Sequence, residues 1–175
     1  LVPFGEYIPF RNNFKTIAHY LSSRDFASGH PKENIKLKGF GDIVTLICYE
    51  ILFSTEVSKR ISNNTKLLIN ITNDAWFGKT IGPYQHWALA KIRAVELGMP
   101  LVRVANTGIS GFISPYGNEI VKIPINEEGV RHTNLISPLE KTTYKKFGEY
   151  IFIIFILYFL FIHYLLTFNF RKITQ

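Results

Sequence analysis

Cysteine is almost missing from this chain: Cys48 is the only one in 175 residues. A single thiol cannot form an intramolecular disulfide, so its open roles are packing, metal binding in company, or nucleophilic chemistry. Metal binding has little to stand on, because His19, His30, His86, His132 and His163 show no paired ligand spacing and no second thiol exists. No metal and no cofactor is expected. Runs of like charge are absent too. The 20 Lys and Arg against 13 Asp and Glu give a formal +7, yet they never form a run of five or six, so no nucleic-acid partner is expected. A mild basic excess beside an apolar segment suits anionic lipid headgroups. Internal repeats and low-complexity linkers are lacking, and the length suits one domain with a real core.

Charge vanishes altogether in one place. From Tyr150 to Phe170, YIFIIFILYFLFIHYLLTFNF carries no Asp, Glu, Lys or Arg over 21 residues. At about 1.5 Å per residue this matches a hydrocarbon core of roughly 30 Å. Lys145 and Lys146 precede the run and Arg171 and Lys172 follow it, which predicts a transmembrane helix with orientation left open by equal basic flanks. His163 inside the span is expected at the interface or against a partner helix. The division expected is therefore residues 1–145 for a folded domain and 146–175 for the span and a short basic tail.

Residues 1 to about 40 are punctuated by Pro3, Gly5, Pro9, Gly29, Pro31, Gly39 and Gly41 and read as loop, with one helical piece around Phe14 to Leu21. DIVTLICYE and KLLINITND then read as buried strands. Between them Ile51, Leu52, Val57 and Ile61 keep a rough helical spacing. Pro83 suits a first helical turn, YQHWALAKIRAVELG reads as a helix, and Gly98 suits its C′ position. Trp87, Leu89, Ala90, Ile92, Ala94, Val95 and Leu97 supply its apolar face. LVRVAN, SGFISP and IVKIPI are further strands around a PYGNE turn. Strands alternating with helices, then strands alone, predict an α/β layered domain.

Cys48 falls at the C-terminal end of a buried strand and before a helix, where strand ends open into a crevice and helix N–H groups are free. That setting lowers a thiol's pKa and offers oxyanion donors; the alternative is a small hydrophobe in an apolar strand. Glu50 either shares the strand face of Cys48 or stands at the helix start capping free amides. Glu6 lies in a loop bounded by Gly5 and Pro9, held in one place or simply exposed. Trp76 and Trp87 fill the core or wall a substrate.

LVPFGEYIP, ICYEI and NITNDAWFGKTIGPYQHWALAKIRAVELGMPLVRVANTGISGFI together resemble the carbon–nitrogen hydrolase (nitrilase-like) family, and within it the bacterial apolipoprotein N-acyltransferases. The resemblance covers about residues 1–124, the NDAWFG-x-x-x-GP-x-QH block is its most specific part, and the terminal helix agrees with those enzymes' last span. It implies a partial αββα sandwich, followed here by one transmembrane helix, and a Glu-Lys-Cys site. Cys48 matches the nucleophile, and Glu6 the glutamate of LVPFGE. Tyr49 and Glu50 match the residues after the nucleophile, the Tyr49 N–H being a candidate oxyanion donor. Trp76, Phe77 and His86 would line or support the substrate loops.

The activity so implied is transfer of a fatty acyl group from a phospholipid, through a Cys48 thioester, to the N-terminal diacylglyceryl-cysteine of an apolipoprotein. The implied place is the bacterial inner membrane, with the catalytic domain on its periplasmic side. In the family the general-base glutamate and the lysine precede LVPFGE, and no residue here takes either role. The chain is accordingly expected to be a C-terminal piece of the enzyme, poorly active alone, with open strand edges where the rest of the sandwich would pair. Two other readings stay open: an amidase acting on a small amide, and an inactive remnant or complementing half.

Overall fold

The computed structural model describes residues 6–13, 26–27, 34–140 and 142–173. The helix expected around Phe14 to Leu21 lies outside these residues.

Six strands form one sheet in sequence order: β1 (Ile35–Leu37), β2 (Gly41–Ile47), β3 (Thr65–Asn73), β4 (Leu101–Asn106), β5 (Ser110–Ile113) and β6 (Glu119–Ile123). The three central apolar runs, β2, β3 and β4, are parallel, as strands covered by crossover helices should be. β1, β5 and β6 add to the sides antiparallel. β1 falls in the stretch read as loop; its three residues are all exposed, so no burial pattern marks it. A 3-10 turn (Cys48–Leu52) and helix α1 (Ser54–Arg60) join β2 to β3. A second 3-10 turn (Asp74–Phe77) and helix α2 (Gly82–Leu97) join β3 to β4.

Register lines up the core. Val44 sits opposite Leu68, Leu68 opposite Leu101, and Leu101 opposite Ile113, a row crossing four strands on one face. Ile51, Val57, Trp87, Ala90, Ala94 and Leu97 close over it, each large aliphatic side chain contributing about 1.5–3 kcal/mol by leaving water. α2 turns His86, Trp87, Ala90, Arg93, Ala94 and Leu97 inward, a spacing that follows the helical period. Ile92 and Val95, expected on the apolar face, are 49% and 45% exposed. His86 and Arg93 occupy the inward positions because buried acceptors meet them there, as described below. α2 stops at Gly98, whose φ of +61° lets its N–H return to the carbonyls of Ala94 and Val95.

The other face of the sheet leaves Ile47, Ile71 and Val104 exposed. Among the described residues the fold is one sheet with helices on one face, so the bare apolar surface is a sheet face as well as the edges the sequence leads one to expect.

Helix α3 (Thr143–Phe147) is capped by Thr142, whose hydroxyl accepts the Lys145 N–H at 3.0 Å. The division expected at 145/146 falls inside this helix. α4 (Tyr150–Ile173) follows. It is long and apolar enough to cross a membrane, and none of Tyr150–Thr167 is buried. Its base is tied to the domain: the hydroxyls of Tyr144 and Ser54 lie 2.5 and 3.0 Å from Glu149 Oε1 and 2.6 Å from each other.

Candidate active site

β2, β3 and β4 run the same way, so their C-terminal ends meet at one rim of the sheet. β2 ends at Ile47, and Cys48 leaves it with φ +48°. A left-handed L-residue costs about 1–2 kcal/mol, and the surroundings hold it there. The Asn70 side-chain amide donates to the Cys48 carbonyl at 3.1 Å and to the Leu46 carbonyl at 3.3 Å. At the other end of the turn, Arg93 Nε and Nη2 donate to the carbonyls of Ile51 and Leu52 at 2.8 and 3.0 Å, acceptors that a short helix cannot satisfy itself. Arg93 is in turn paired with Glu96. The segment carrying the thiol is thus clamped on both sides, and Cys48 remains half-buried.

Glu50 adopts the second of its two expected placements. It stands in the turn, and its carboxylate accepts the Ile47 N–H at 2.9 Å, closing the turn onto the strand that precedes it.

Behind Cys48 lies a buried polar cluster. Thr72 Oγ1 is 3.2 Å from Cys48 Sγ and 3.1 Å from Asp74 Oδ1. Arg103 Nη2 donates to Asp74 Oδ2 and Oδ1 at 2.8 and 3.0 Å, and its Nη1 donates to Asn70 Oδ1 at 2.6 Å. His86 Nδ1 is 3.0 Å from Asp74 Oδ1. Asn70 and Arg103 have no exposed surface, and Asp74, His86 and Thr72 have 5% or less. Burial pushes the Asp74 carboxyl up, but hydrogen bonds and charge from His86 and Arg103 outweigh it and hold it below its ordinary value. Burial lowers Arg103, opposed by the charges of Asp74 and Cys48. His86 Nδ1 also lies 3.0 Å from Arg103 Nη2, so the same ring nitrogen faces both members of the Asp74–Arg103 pair. His86 Nε2 is buried with no hydrogen-bond partner among the described residues. Gly108 presses against this cluster: a Cβ there would lie 2.2 Å from Asp74 Oδ2.

Aromatic groups edge the rim. The rings of Tyr49 and His86 are 5.1 Å apart, Phe77 and His86 5.8 Å, and Tyr49 and Phe77 6.0 Å, within the range of favourable ring pairs. Trp76 is 83% exposed and Trp87 3%, so of the two tryptophans only Trp87 fills the core. Glu6 sits half-buried in a turn, its carbonyl accepting the Phe26 N–H at 2.8 Å.

The sequence profile described as "Carbon-nitrogen hydrolase" matches residues 12–140. The chain belongs to the carbon–nitrogen hydrolase family. It is 40% identical over 153 residues to a protein of Rhodopseudomonas palustris named "Apolipoprotein N-acyltransferase", covering 85% of this chain and 28% of that protein. It is likewise 40% identical over 183 residues to the Rickettsia prowazekii protein of the same name, covering 98% of this chain and 35% of that one. The chain thus spans about a third of the length of these curated relatives. A solved carbon-nitrogen hydrolase from Helicobacter pylori G27 aligns with 59% of this chain and 43% of its own, at 15% identity and a TM-score of 0.49.

In this carbon–nitrogen hydrolase chain, Cys48, Tyr49, Phe77 and His86 come together at the rim, Glu50 turns back to β2, and Trp76 stands out in solvent. Asn70, Thr72, Asp74 and Arg103 were not singled out from sequence. Their signal is there nonetheless: Asn70 and Thr72 sit two apart in a buried strand, so they share one face, Asp74 continues that spacing into the turn just after it, and Arg103 is the lone charge in LVRVAN.

Proposed function

We propose that Cys48 is the nucleophile of a phospholipid-dependent N-acyltransferase acting on apolipoproteins. The observation that carries this reading is the half-buried thiol at the C-terminal rim of the parallel strands, aimed by a left-handed backbone held on both sides. The Cys48 thiol gives up its proton, the sulfur attacks the ester carbonyl of a phospholipid, the S–C bond forms, the ester C–O bond breaks, and the lysophospholipid oxygen leaves carrying the proton the thiol gave up. The free α-amino group of a diacylglyceryl-cysteine then attacks the thioester, the C–N bond forms, the C–S bond breaks, and the amine proton is lost as the thiolate is regenerated.

Within this reading the Tyr49 N–H, in the first turn where a helix lacks its own acceptor, faces the developing oxyanion. Glu50 fixes the turn. Tyr49, Phe77 and His86 support the acyl-binding wall, Trp76 meets the lipid side, and Glu6 takes the role that its LVPFGE match implies. No residue of this sequence is assigned as general base. Residues 1–145 form the catalytic unit and 146–175 anchor it, α4 crossing the inner membrane so that the rim lies on the periplasmic side, where a two-tailed donor is close. The relatives' shared name and the exposed apolar helix support this choice over a small-amide hydrolase, to which such a span offers nothing.

The test is acyl-adduct formation with the full-length protein in phospholipid vesicles. A hydroxylamine-sensitive adduct on Cys48, lost in Cys48→Ser, is expected. An adduct that persists in the serine variant, or lipid-independent release of ammonia from small amides, would sink the proposal.

A further inference from the structure

The polar cluster grips Cys48 from two directions. Asn70 holds its main-chain carbonyl, and Thr72 Oγ1 lies 3.2 Å from its sulfur. Both holders are themselves fixed: Arg103 joins Asn70 Oδ1 to Asp74, and Asp74 lies 3.1 Å from the Thr72 hydroxyl. Thr72 is β-branched and 5% exposed, so its χ1 has little freedom. Its hydroxyl carries one proton and faces two acceptors, Cys48 Sγ and Asp74 Oδ1.

We propose that Thr72 is a positioning residue for Cys48, a two-position hydroxyl that donates to the sulfur when it is a thiolate and to Asp74 when it is not. A thiolate is a charged acceptor and attracts the proton strongly. A sulfur bonded to an acyl carbon is a weak acceptor, comparable to a thioether, so the hydroxyl then rotates to Asp74. No proton leaves Thr72 in either state. Asp74 tolerates the loss of this hydrogen bond because Arg103 and His86 continue to hold it. The charged and titratable groups around the sulfur are Arg103 on the helix-covered face of β4, Asp74 in the turn after β3, His86 from α2, and Tyr49 and Glu50 on its own turn, with Glu50 engaged by the Ile47 N–H. The acylated position rests on the reading of Cys48 as nucleophile; the bond to the thiolate does not.

Iodoacetamide alkylation of the protein in detergent, followed from about pH 6 to about pH 10, reads the thiolate directly, and Cys48 is the only cysteine to report. Thr72→Val and Thr72→Ala, which remove the donor 3.2 Å from the sulfur, are expected to slow alkylation near neutral pH about tenfold relative to the parent. Thr72→Ser, which keeps the hydroxyl, is expected to restore the original profile. A lost fold would move all three variants, whereas loss of the hydroxyl spares the serine. Superimposed profiles for valine, alanine and the parent would overturn the role of Thr72, and an acyl adduct on Cys48 in that case would leave the nucleophile standing. A shifted profile without any adduct from phospholipid would support the Thr72–sulfur bond and overturn the acyl-transfer reading instead.

Discussion

Arg103→Met is the severest single change the fold invites. The guanidinium is fully buried inside the polar cluster, with two hydrogen bonds to Asp74, one to Asn70, and its Nη2 3.0 Å from His86 Nδ1. Methionine fills most of the same volume, so the loss is chiefly electrostatic. Asp74 would stay ionised or take up a proton in a site without solvent, a cost of about 3–5 kcal/mol for a broken buried pair. Asn70 Oδ1 would lose its donor, adding about 1–3 kcal/mol. Against a total stability of about 5–15 kcal/mol for a domain, the variant stands at the edge of folding. Asp74→Asn leaves Arg103 as the unpaired partner and is expected to cost about 3–5 kcal/mol. The double variant removes both charges and should be more stable than the sum of the singles predicts by up to about 3 kcal/mol. Urea titration in a Trp76→Phe background leaves buried Trp87 as the fluorescent reporter. Single-variant costs that simply add, within about 0.5 kcal/mol, would refute the claim that these residues form one coupled unit.

Gly108→Ala would place a methyl group 2.2 Å from Asp74 Oδ2 and is expected to destabilise by about 1–3 kcal/mol; an unchanged thermal midpoint would show that the cluster yields more easily than its contacts imply. Glu119 is held at about 2, from an ordinary 4.5, first by the Trp87 indole N–H and then by Lys91 and Lys122. A depressed carboxylate stabilises above its unfolded value and loses that stability as protons bind, so the contribution is full above about pH 4.5 and fades toward pH 2. Glu119→Gln should therefore unfold more easily near neutral pH and match the parent near pH 2, read from Tm against pH; a gap of constant size would refute the assignment.

The parallel strands and α2 were legible because each is an apolar run bounded by glycine, proline or asparagine, and the row Val44, Leu68, Leu101, Ile113 follows from their alternation. The inward face of α2 was only partly legible. Hydropathy ranks Ile92 and Val95 above His86 and Arg93, but burial there is decided by partners, Asp74 for His86 and the carbonyls after Cys48 for Arg93, that lie far away in sequence. The 3-10 turns were blurred into their neighbours for a similar reason: side chains from other elements, Asn70 and Arg93, fix where β2 gives way. Cys48 and its aromatic neighbours stood out by rarity and motif. Asn70, Thr72 and Asp74 did not, since single polar residues in an apolar strand read as interruptions until Arg103 is seen between them.

Placing Cys48, Asp74 and Asn106 just at or beyond the ends of three co-directed strands separates chassis from tool. Weight rests on the rows of Leu and Val within the layer, whereas the proposed chemistry draws on the chain reversals that follow. Lengthening or recomposing one reversal can retune which molecule is admitted without disturbing the layer beneath, so new preferences can arise on an unchanged foundation.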